Sequence, residues 1–383
     1  MKFNKHVILG VEKSLGLQHF CEYFHLNESD LDHYNHSSSV YFKKYGFKVA
    51  DFYSEFYSRF NGIVSDKYIS TELYYFYIIA YLNNGKYTNA YVDKAAYDRI
   101  FFDVDRPRTI LKCQNNIFYD ENGNAIDYEK SLDLIRHTSD FIIKPSLSPT
   151  LEGGSGCGNN VHKFNGDDFK TKESVRTLFS EYSNAGGANF VVQSILEQHP
   201  ITAQFNASSL NTIRVYTYRR LNKEIVVLGS LIRFGSNDSV VDNACAGGGF
   251  CRIMDDGTVC DQISQASHFK KGSLKQRGIQ CKIPQFRGVL DWVKCLHSKI
   301  AWFDLCGWDV AISSSGKPTL IELNEYPDCE FIQAGIGPMF GEYTDEVMEQ
   351  ISNSTTEYAL SARRTFSSGR SSDIFLKEFP MQE

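Results

Sequence analysis

The sequence predicts an α+β fold built from two or three packed subdomains, and three observations carry that expectation. Apolar residues recur at helical spacing from Tyr41 to Tyr57 and again from Thr71 to Leu82. Beyond Tyr91 the texture changes to short strand-like runs separated by turns, and close to the C-terminal end two apolar runs flank a Ser-Gly-Lys-Pro turn. With 383 residues, 42% of them apolar, the chain is too long for one ordinary domain and has ample material for a buried core. Its net charge of −6 leaves no electrostatic footprint for nucleic acid.

Residues 1–92 read as a mainly helical region whose Tyr- and Phe-rich stripe is core packing, and no chemistry is assigned to it. The first residues hold an apolar core too short for a signal peptide, and the run from Leu73 to Leu82 is too short to span a bilayer. Ten cysteines without CxxC or Cys/His zinc spacing suit free thiols in a reducing compartment, so a cytoplasmic location is expected.

Residues 93–196 carry Phe141-Ile-Ile-Lys144-Pro145, a short buried strand ending in a lysine. It is followed by the loop Leu151-Glu-Gly153-Gly154-Ser155-Gly156-Cys157-Gly158. Backbone amides without Cβ atoms can wrap phosphate oxygens closely, although a mobile surface loop would look alike, and the loop matches neither a P-loop nor a Rossmann fingerprint. A helix over Ser174 to Tyr182 and a buried strand over Phe190-Val-Val-Gln193-Ser194-Ile195-Leu196 complete this portion, which ends at the Glu197-Gln-His-Pro turn.

Residues 197–351 open with Asn211-Thr-Ile-Arg214-Val-Tyr-Thr-Tyr218, where Arg214, Tyr216 and Tyr218 alternate against Ile213, Val215 and Thr217. A turn at Leu221-Asn-Lys-Glu leads into Ile225 to Arg233, an antiparallel partner. An inward arginine needs an anion, so Arg214 is a phosphate or carboxylate contact or one half of a structural salt bridge. Ser239-Val-Val-Asp-Asn243 and the glycines after it form a polar loop able to close over a ligand. Phe286 to Ile300 and Tyr343 to Ile351 read as helices, and residues 352–383 as a partly ordered tail.

Between those two helices lie Val310 to Ile312 and Leu320 to Leu323, the arms of a hairpin. With Ser315 and Gly316 as the loop residues, Asp309 falls opposite Glu322, and Asn324 shares the face of Glu322. Carboxylates facing each other across a ladder repel, so a cation between them is the simplest physical reason for the pattern; a solvated hairpin face is the alternative. Oxygen-only donors from Asp309, Glu322 and Asn324 suit Mg2+ or Mn2+.

Strand ending in lysine, glycine-rich loop, second buried strand, arginine on a strand, then Asp and Glu-x-Asn: that order resembles the ATP-grasp superfamily. Within it the chain is most similar to the sugar-transfer-associated ATP-grasp proteins of bacterial surface-polysaccharide synthesis. The likeness rests on Ser209-Leu-Asn-Thr-Ile-Arg214, Ser239-Val-Val-Asp-Asn243, Gly307-Trp-Asp309 and Ile321-Glu322-Leu-Asn324. The resemblance implies two α+β lobes clasping ATP. Lys144 and the Gly153 to Gly158 loop would hold its phosphates, Gln193, Ser194, Ile195, Leu196 and Glu197 would line adenine and ribose, and Asn243 would also contact the nucleotide. Arg214 would steady the transferred phosphoryl group or the reacting carboxylate, and Asp309, Glu322 and Asn324 would bind Mg2+. A second ATP-contacting lysine is Lys94 or Lys112. Glu325-Tyr-Pro-Asp stands where many relatives have a small residue and Pro-Gly, which bears on the acceptor site. The implied reaction is amide formation between a carboxylate and an amine, with sugar-linked substrates among the candidates, through an acylphosphate, and with association with polysaccharide-synthesis enzymes. A kinase acting on a sugar or polyol hydroxyl and a non-catalytic partner of a glycosyltransferase are the alternatives.

Overall fold

The computed structural model describes residues 38–353 apart from 48, 50, 71–72, 148–160, 185–186, 237–247 and 266–269. Helices α1 (Ser38–Lys43) and α2 (Phe52–Asn61) are separated by a turn with Gly46 at φ +82°, so the helical stripe expected from Tyr41 to Tyr57 is broken in the middle. A π-helical turn over Tyr74–Ile78 runs into α3 (Ile79–Leu82), followed by α4 (Thr88–Val92), a 3-10 turn at Lys94–Ala96 and α5 (Tyr97–Ile100). Phe42, Tyr53, Phe56, Tyr57, Phe60 and Tyr68 are all buried, as an aromatic core stripe should be.

Strands β1 (Thr109–Gln114), β2 (Ile117–Asp120), β3 (Ala125–Ile126), β4 (Phe141–Pro145) and β5 (His162–Phe164) come next, with α6 (Tyr128–Arg136) between β3 and β4. Helix α7 (Lys172–Glu181) starts at Thr171, whose side chain accepts from the Ser174 amide. The short ribbon β6 (Ser183–Asn184) and β7 (Gly187–Ala188) then leads to β8 (Phe190–Ser194). The first sheet has the order β3-β2-β1-β8-β4-β5 and is antiparallel throughout. Its Leu111, Cys113, Phe141, Ile143, Phe190 and Val192 pack with α6 and α7. Period-2 alternation therefore sends Lys112, Lys144 and Gln193 to the opposite face.

After α8 (Pro200–Ala203), the strands β9 (Thr212–Arg219), β10 (Ile225–Phe234), β11 (Gly249–Ile253), β12 (Gln262–Gln265), β13 (Lys270–Ser273), β14 (Leu305–Ile312) and β15 (Pro318–Asn324) build the second sheet, in the order β13-β12-β11-β10-β9-β14-β15. It is a middle layer. Ile213 and Val215 of β9 pack with helix α9 (Phe286–Ser298). Tyr216 and Tyr218 point the other way, into a cluster shared with the N-terminal helices, α10 (Cys329–Gly335) and α11 (Thr344–Ser352). The alternation read along this strand thus decides which layer each residue joins.

The strand expected to reach Leu196 ends at Ser194. Its continuation docks onto the β14–β15 hairpin: the Ser314 amide donates to the Glu197 carbonyl, and the His199 amide to the Ile312 carbonyl, both at 2.8 Å. The described cysteines are free thiols, and among the described residues no helix is long and apolar enough to cross a membrane.

Candidate functional site

The β14–β15 hairpin brings Asp309 opposite Glu322, though by a different route from the turn arithmetic. The loop is longer than two residues, because Ile312 pairs with Pro318 and Ser313 bonds to Lys317 across it. Left alone, that longer loop would shift the register by one. A β-bulge at Ile321 shifts it back, so that Val310 faces Leu320 while Asp309 faces Glu322 and Gly307 faces Asn324. The bulge also lets Leu320 and Leu323 both enter the core beside α9, leaving Glu322 and Asn324 on the polar face.

Next to β14 lies β9, where Arg214 is directly across from Asp309. Glu322, Asp309 and Arg214 therefore form one row over three strands. Arg214 grips Asp309 with two parallel bonds, Nε to Oδ1 and Nη2 to Oδ2, the second at 2.9 Å. Arg233 of β10 adds an Nη2 at 3.4 Å from Oδ2, and the Asn324 carboxamide lies 3.3 Å from the same oxygen. Asp309 is only 3% exposed. Burial by itself would raise its pKa, but the Arg214 and Arg233 charges hold the carboxyl below its ordinary value. Gly307 is obligatory at this crossing, since a Cβ there would sit 2.8 Å from the Pro327 Cβ and 3.2 Å from Arg214 Cδ.

Two lysines complete the charge arrangement. Lys94, on the 3-10 turn, places Nζ 2.8 Å from Glu322 Oε1. Lys144, at the end of β4, has no acceptor for its ammonium among the described residues. Desolvation and then the Lys94 charge bring it down to about 8, against the opposite pull of Glu322 and Asp309. Lys112 shares the Lys144 face but is bound to Asp98 at 2.9 Å and to the Ala95 carbonyl at 3.2 Å. Of the two lysines left open by the sequence, Lys94 is the one that reaches the carboxylates.

Gln193 is buried on β8, with Nε2 3.5 Å from Thr109 Oγ1. Ser194, Ile195 and Leu196 are half-buried along the connection between the sheets, and Glu197 is exposed. The loop residues Gly153, Gly154, Ser155, Gly156 and Gly158, together with Asn243, lie outside the described residues.

The departure at Glu325-Tyr-Pro-Asp acquires a structural description. Asp328 caps α10 by accepting from the Phe331 amide at 3.0 Å, and its other oxygen lies 3.4 Å from Arg214 Nη1. Burial pushes the Glu325 carboxyl up to about 7, with the Glu322 charge adding to the effect. Arg233, Asp328 and the N-terminal contacts to this segment were not legible in the sequence. Arg233 depends on a bulge between Val227 and Gly229 that no turn count reveals.

Among the described residues no three His, Cys, Asp or Glu side chains converge, which leaves no zinc-type ligand set there. Two carboxylates and a carboxamide on one face of adjacent strands do fit Mg2+. That ion needs one or two protein carboxylates and takes its remaining ligands from water and phosphate. Arg214, Arg233 and Lys94 balance the two carboxylates here.

No curated protein matches the chain. Among solved structures, the ATP-grasp ligase PsnB in complex with a phosphomimetic variant of its minimal precursor, Mg and ADP is 15% identical, with a TM-score of 0.41 over 70% of this chain and 61% of that one. D-alanyl-alanine synthetase A from Vibrio cholerae is 12% identical, with a TM-score of 0.36 over 73% and 65% of the two chains. The biotin carboxylase domain of 2-oxoglutarate carboxylase from Hydrogenobacter thermophilus, solved with MgADP, is 11% identical, with a TM-score of 0.40 over 71% and 49%. The chain thus spans less than two thirds of each of these proteins, and likenesses this distant carry no functional argument alone. Residues 77–344, more than half of the chain, match the family described as sugar-transfer associated ATP-grasp, and the chain belongs to that family.

Proposed function

We propose that this protein is an ATP- and Mg2+-dependent carboxylate–amine ligase that works through an acylphosphate, modifying a sugar or an amino acid in cell-surface polysaccharide biosynthesis. One observation carries the reading: the row Glu322, Asp309 and Arg214 on the second sheet, set against the Lys144 ammonium on the first, which has no acceptor among the described residues. The sugar-related part of the proposal leans on the family description alone.

Asp309, Glu322 and Asn324 are the residues to hold Mg2+, which when bound neutralises phosphate charge. Lys144, held near 8 by desolvation, regains a firm positive charge when a polyphosphate arrives beside it. Lys94, bonded to Glu322 at 2.8 Å, would share the neutralisation of phosphate charge. Gln193 to Glu197 form the strand-to-hinge segment for adenine and ribose, and the Gly153 to Gly158 loop and Asn243 complete the phosphate contacts. A substrate carboxylate oxygen attacks the γ-phosphorus, the bond to the β–γ bridging oxygen breaks, and ADP leaves. The amine nitrogen then attacks the acyl carbon, inorganic phosphate departs, and the amine proton is lost to solvent. Arg214 would stabilise the charge on the transferred group from its place beside Asp309. Most of the rate enhancement comes from positioning and charge neutralisation, and no side-chain nucleophile is required.

The test is ATP turnover with candidate sugar acids and amino acids in the presence of hydroxylamine. ADP and a hydroxamate in equal amounts are expected. A stable phosphorylated product made without any amine would replace the ligase with a kinase, and an absence of ATP consumption would leave a non-catalytic glycosyltransferase partner.

A further inference from the structure

The N-terminal helical segment runs along the outer side of β15, the last strand of the second sheet. Four polar side chains from it hold residues Glu322, Leu323, Glu325 and Pro327 of that strand and its continuation. Lys94 bonds to Glu322 at 2.8 Å, and the Leu323 amide donates to Tyr97 Oη at 2.9 Å. Asn83 Nδ2 donates to the Glu325 carbonyl, and Tyr74 Oη donates to the Pro327 carbonyl.

Asn83 makes the fullest use of its side chain. It is 2% exposed. Its Oδ1 accepts from the Asp304 and Leu305 amides, each at 3.0 Å, and its Nδ2 donates to the Leu305 carbonyl at 2.7 Å as well as to Glu325. Both lone pairs and both protons of the carboxamide are therefore used. The ladder between β14 and β15 ends where Gly307 faces Asn324. Two residues further out, Leu305 has no partner on β15, and the Asn83 carboxamide supplies the donor and the acceptor that a strand would have offered. One side chain so closes the mouth of the hairpin that carries Asp309, Glu322 and Asn324.

We propose that Asn83 is a positioning residue for the metal-bearing hairpin, and that the segment from Tyr74 to Tyr97 is part of the active site. The inference rests on the Mg2+-dependent reading given above. Without Asn83, the buried amide and carbonyl of Leu305 lose their partners, and the end of β15 is free to part from β14 next to Asn324. Groups bonded to a metal ligand commonly alter metal affinity by about 10- to 100-fold, and Asn83 acts on the backbone next to one of them, at the Glu325 carbonyl beside Asn324.

The experiment measures Mn2+ uptake by electron paramagnetic resonance on the full chain, with a non-hydrolysable ATP analogue, for wild type, Asn83→Ala, Tyr74→Phe and Gln333→Ala. Gln333 is the control. It is equally buried and ties the same N-terminal region to α10 through Ile69, at 2.7 and 3.0 Å, without touching β14 or β15. Asn83→Ala should weaken Mn2+ binding about tenfold or more, Tyr74→Phe should weaken it less, and Gln333→Ala should lower the melting temperature without moving the Mn2+ affinity. Equal effects of Asn83→Ala and Gln333→Ala on Mn2+, or none from either, would overturn the positioning role while wild-type uptake leaves the metal site standing. If wild type takes up no Mn2+ with nucleotide, the metal site and the positioning role fall together.

Discussion

Arg214 and Arg233 make the burial of Asp309 tolerable, and that fact governs which substitutions are informative. Removing one partner of a buried ion pair typically costs about 3–5 kcal/mol, because the remaining charge is left desolvated. Arg214 variants would therefore damage the fold together with the chemistry. Glu322 is 27% exposed and bonded to Lys94, and a glutamine in its place keeps an acceptor for that ammonium, so Glu322→Gln reads function more cleanly. His297 offers the opposite case, a histidine with no place in the chemistry. Trp308 Nε1 donates to Thr217 Oγ1 at 2.9 Å, the Thr217 hydroxyl meets His297 Nδ1 at 2.7 Å, and His297 Nε2 meets the Phe303 carbonyl at 2.9 Å. Burial, with Arg219 adding to it, lowers the imidazole to about 3 from an ordinary value of 6.5. A depressed folded-state pKa gives stability that is complete above the unfolded value and is lost as pH falls below it. Denaturation curves should therefore show stability decreasing from pH 6.5 toward 3, at up to about 1.4 kcal/mol per unit. His297→Gln should flatten that decrease, and an unchanged slope would remove His297 as its source. Residue types and spacing alone pointed to Asp309, Glu322, Asn324 and Arg214. That Lys94 meets Glu322 while Lys112 meets Asp98 required the fold, since each is a lysine near a strand and only contact separates them.

At the scale of the hairpin, the sequence argument reached the observed pairing of Asp309 with Glu322 through a two-residue turn that does not exist. The longer loop and the bulge at Ile321 offset each other, and neither leaves a mark that a count of residues can detect. Alternation along β9 was legible because each face enters a different apolar layer. The N-terminal stripe was legible as core, but its hold on β15 was not, because Asn83 in Leu-Asn-Asn-Gly looks like an ordinary turn residue. Two glycines of the hairpin separate close packing from turn conformation. At Gly307 an added Cβ would push on Pro327 and Arg214. Gly316, at φ +82°, has open space around it. Gly307→Ala is expected to cost about 1–3 kcal/mol and to depress ATP turnover strongly. Gly316→Ala should cost about 1 kcal/mol and leave turnover near wild type. Steady-state kinetics beside thermal melts check this, and equal activity losses in the two variants would contradict it.

Across the whole molecule, the first antiparallel sheet packs one apolar face on α6 and α7, the second lies between α9 on one side and the N-terminal helices with α10 and α11 on the other, and the chain between the sheets is anchored at Glu197 and His199 to the hairpin tip. The α+β class and the family were readable from the order of motifs, because that order resembles the family's own. The packing of the N-terminal region against the site was not, because it depends on contacts between residues more than 200 positions apart, such as Lys94 with Glu322. The central claim is that the hairpin carboxylates hold Mg2+ against ATP between these sheets. Calorimetric binding of a non-hydrolysable ATP analogue, with and without Mg2+, tests it most directly in wild type and Glu322→Gln. Wild type should gain about tenfold or more in affinity on adding Mg2+. Glu322→Gln, whose carboxamide keeps an acceptor for Lys94, should lose most of that gain while remaining folded, and a full Mg2+ gain retained in Glu322→Gln would contradict the assignment.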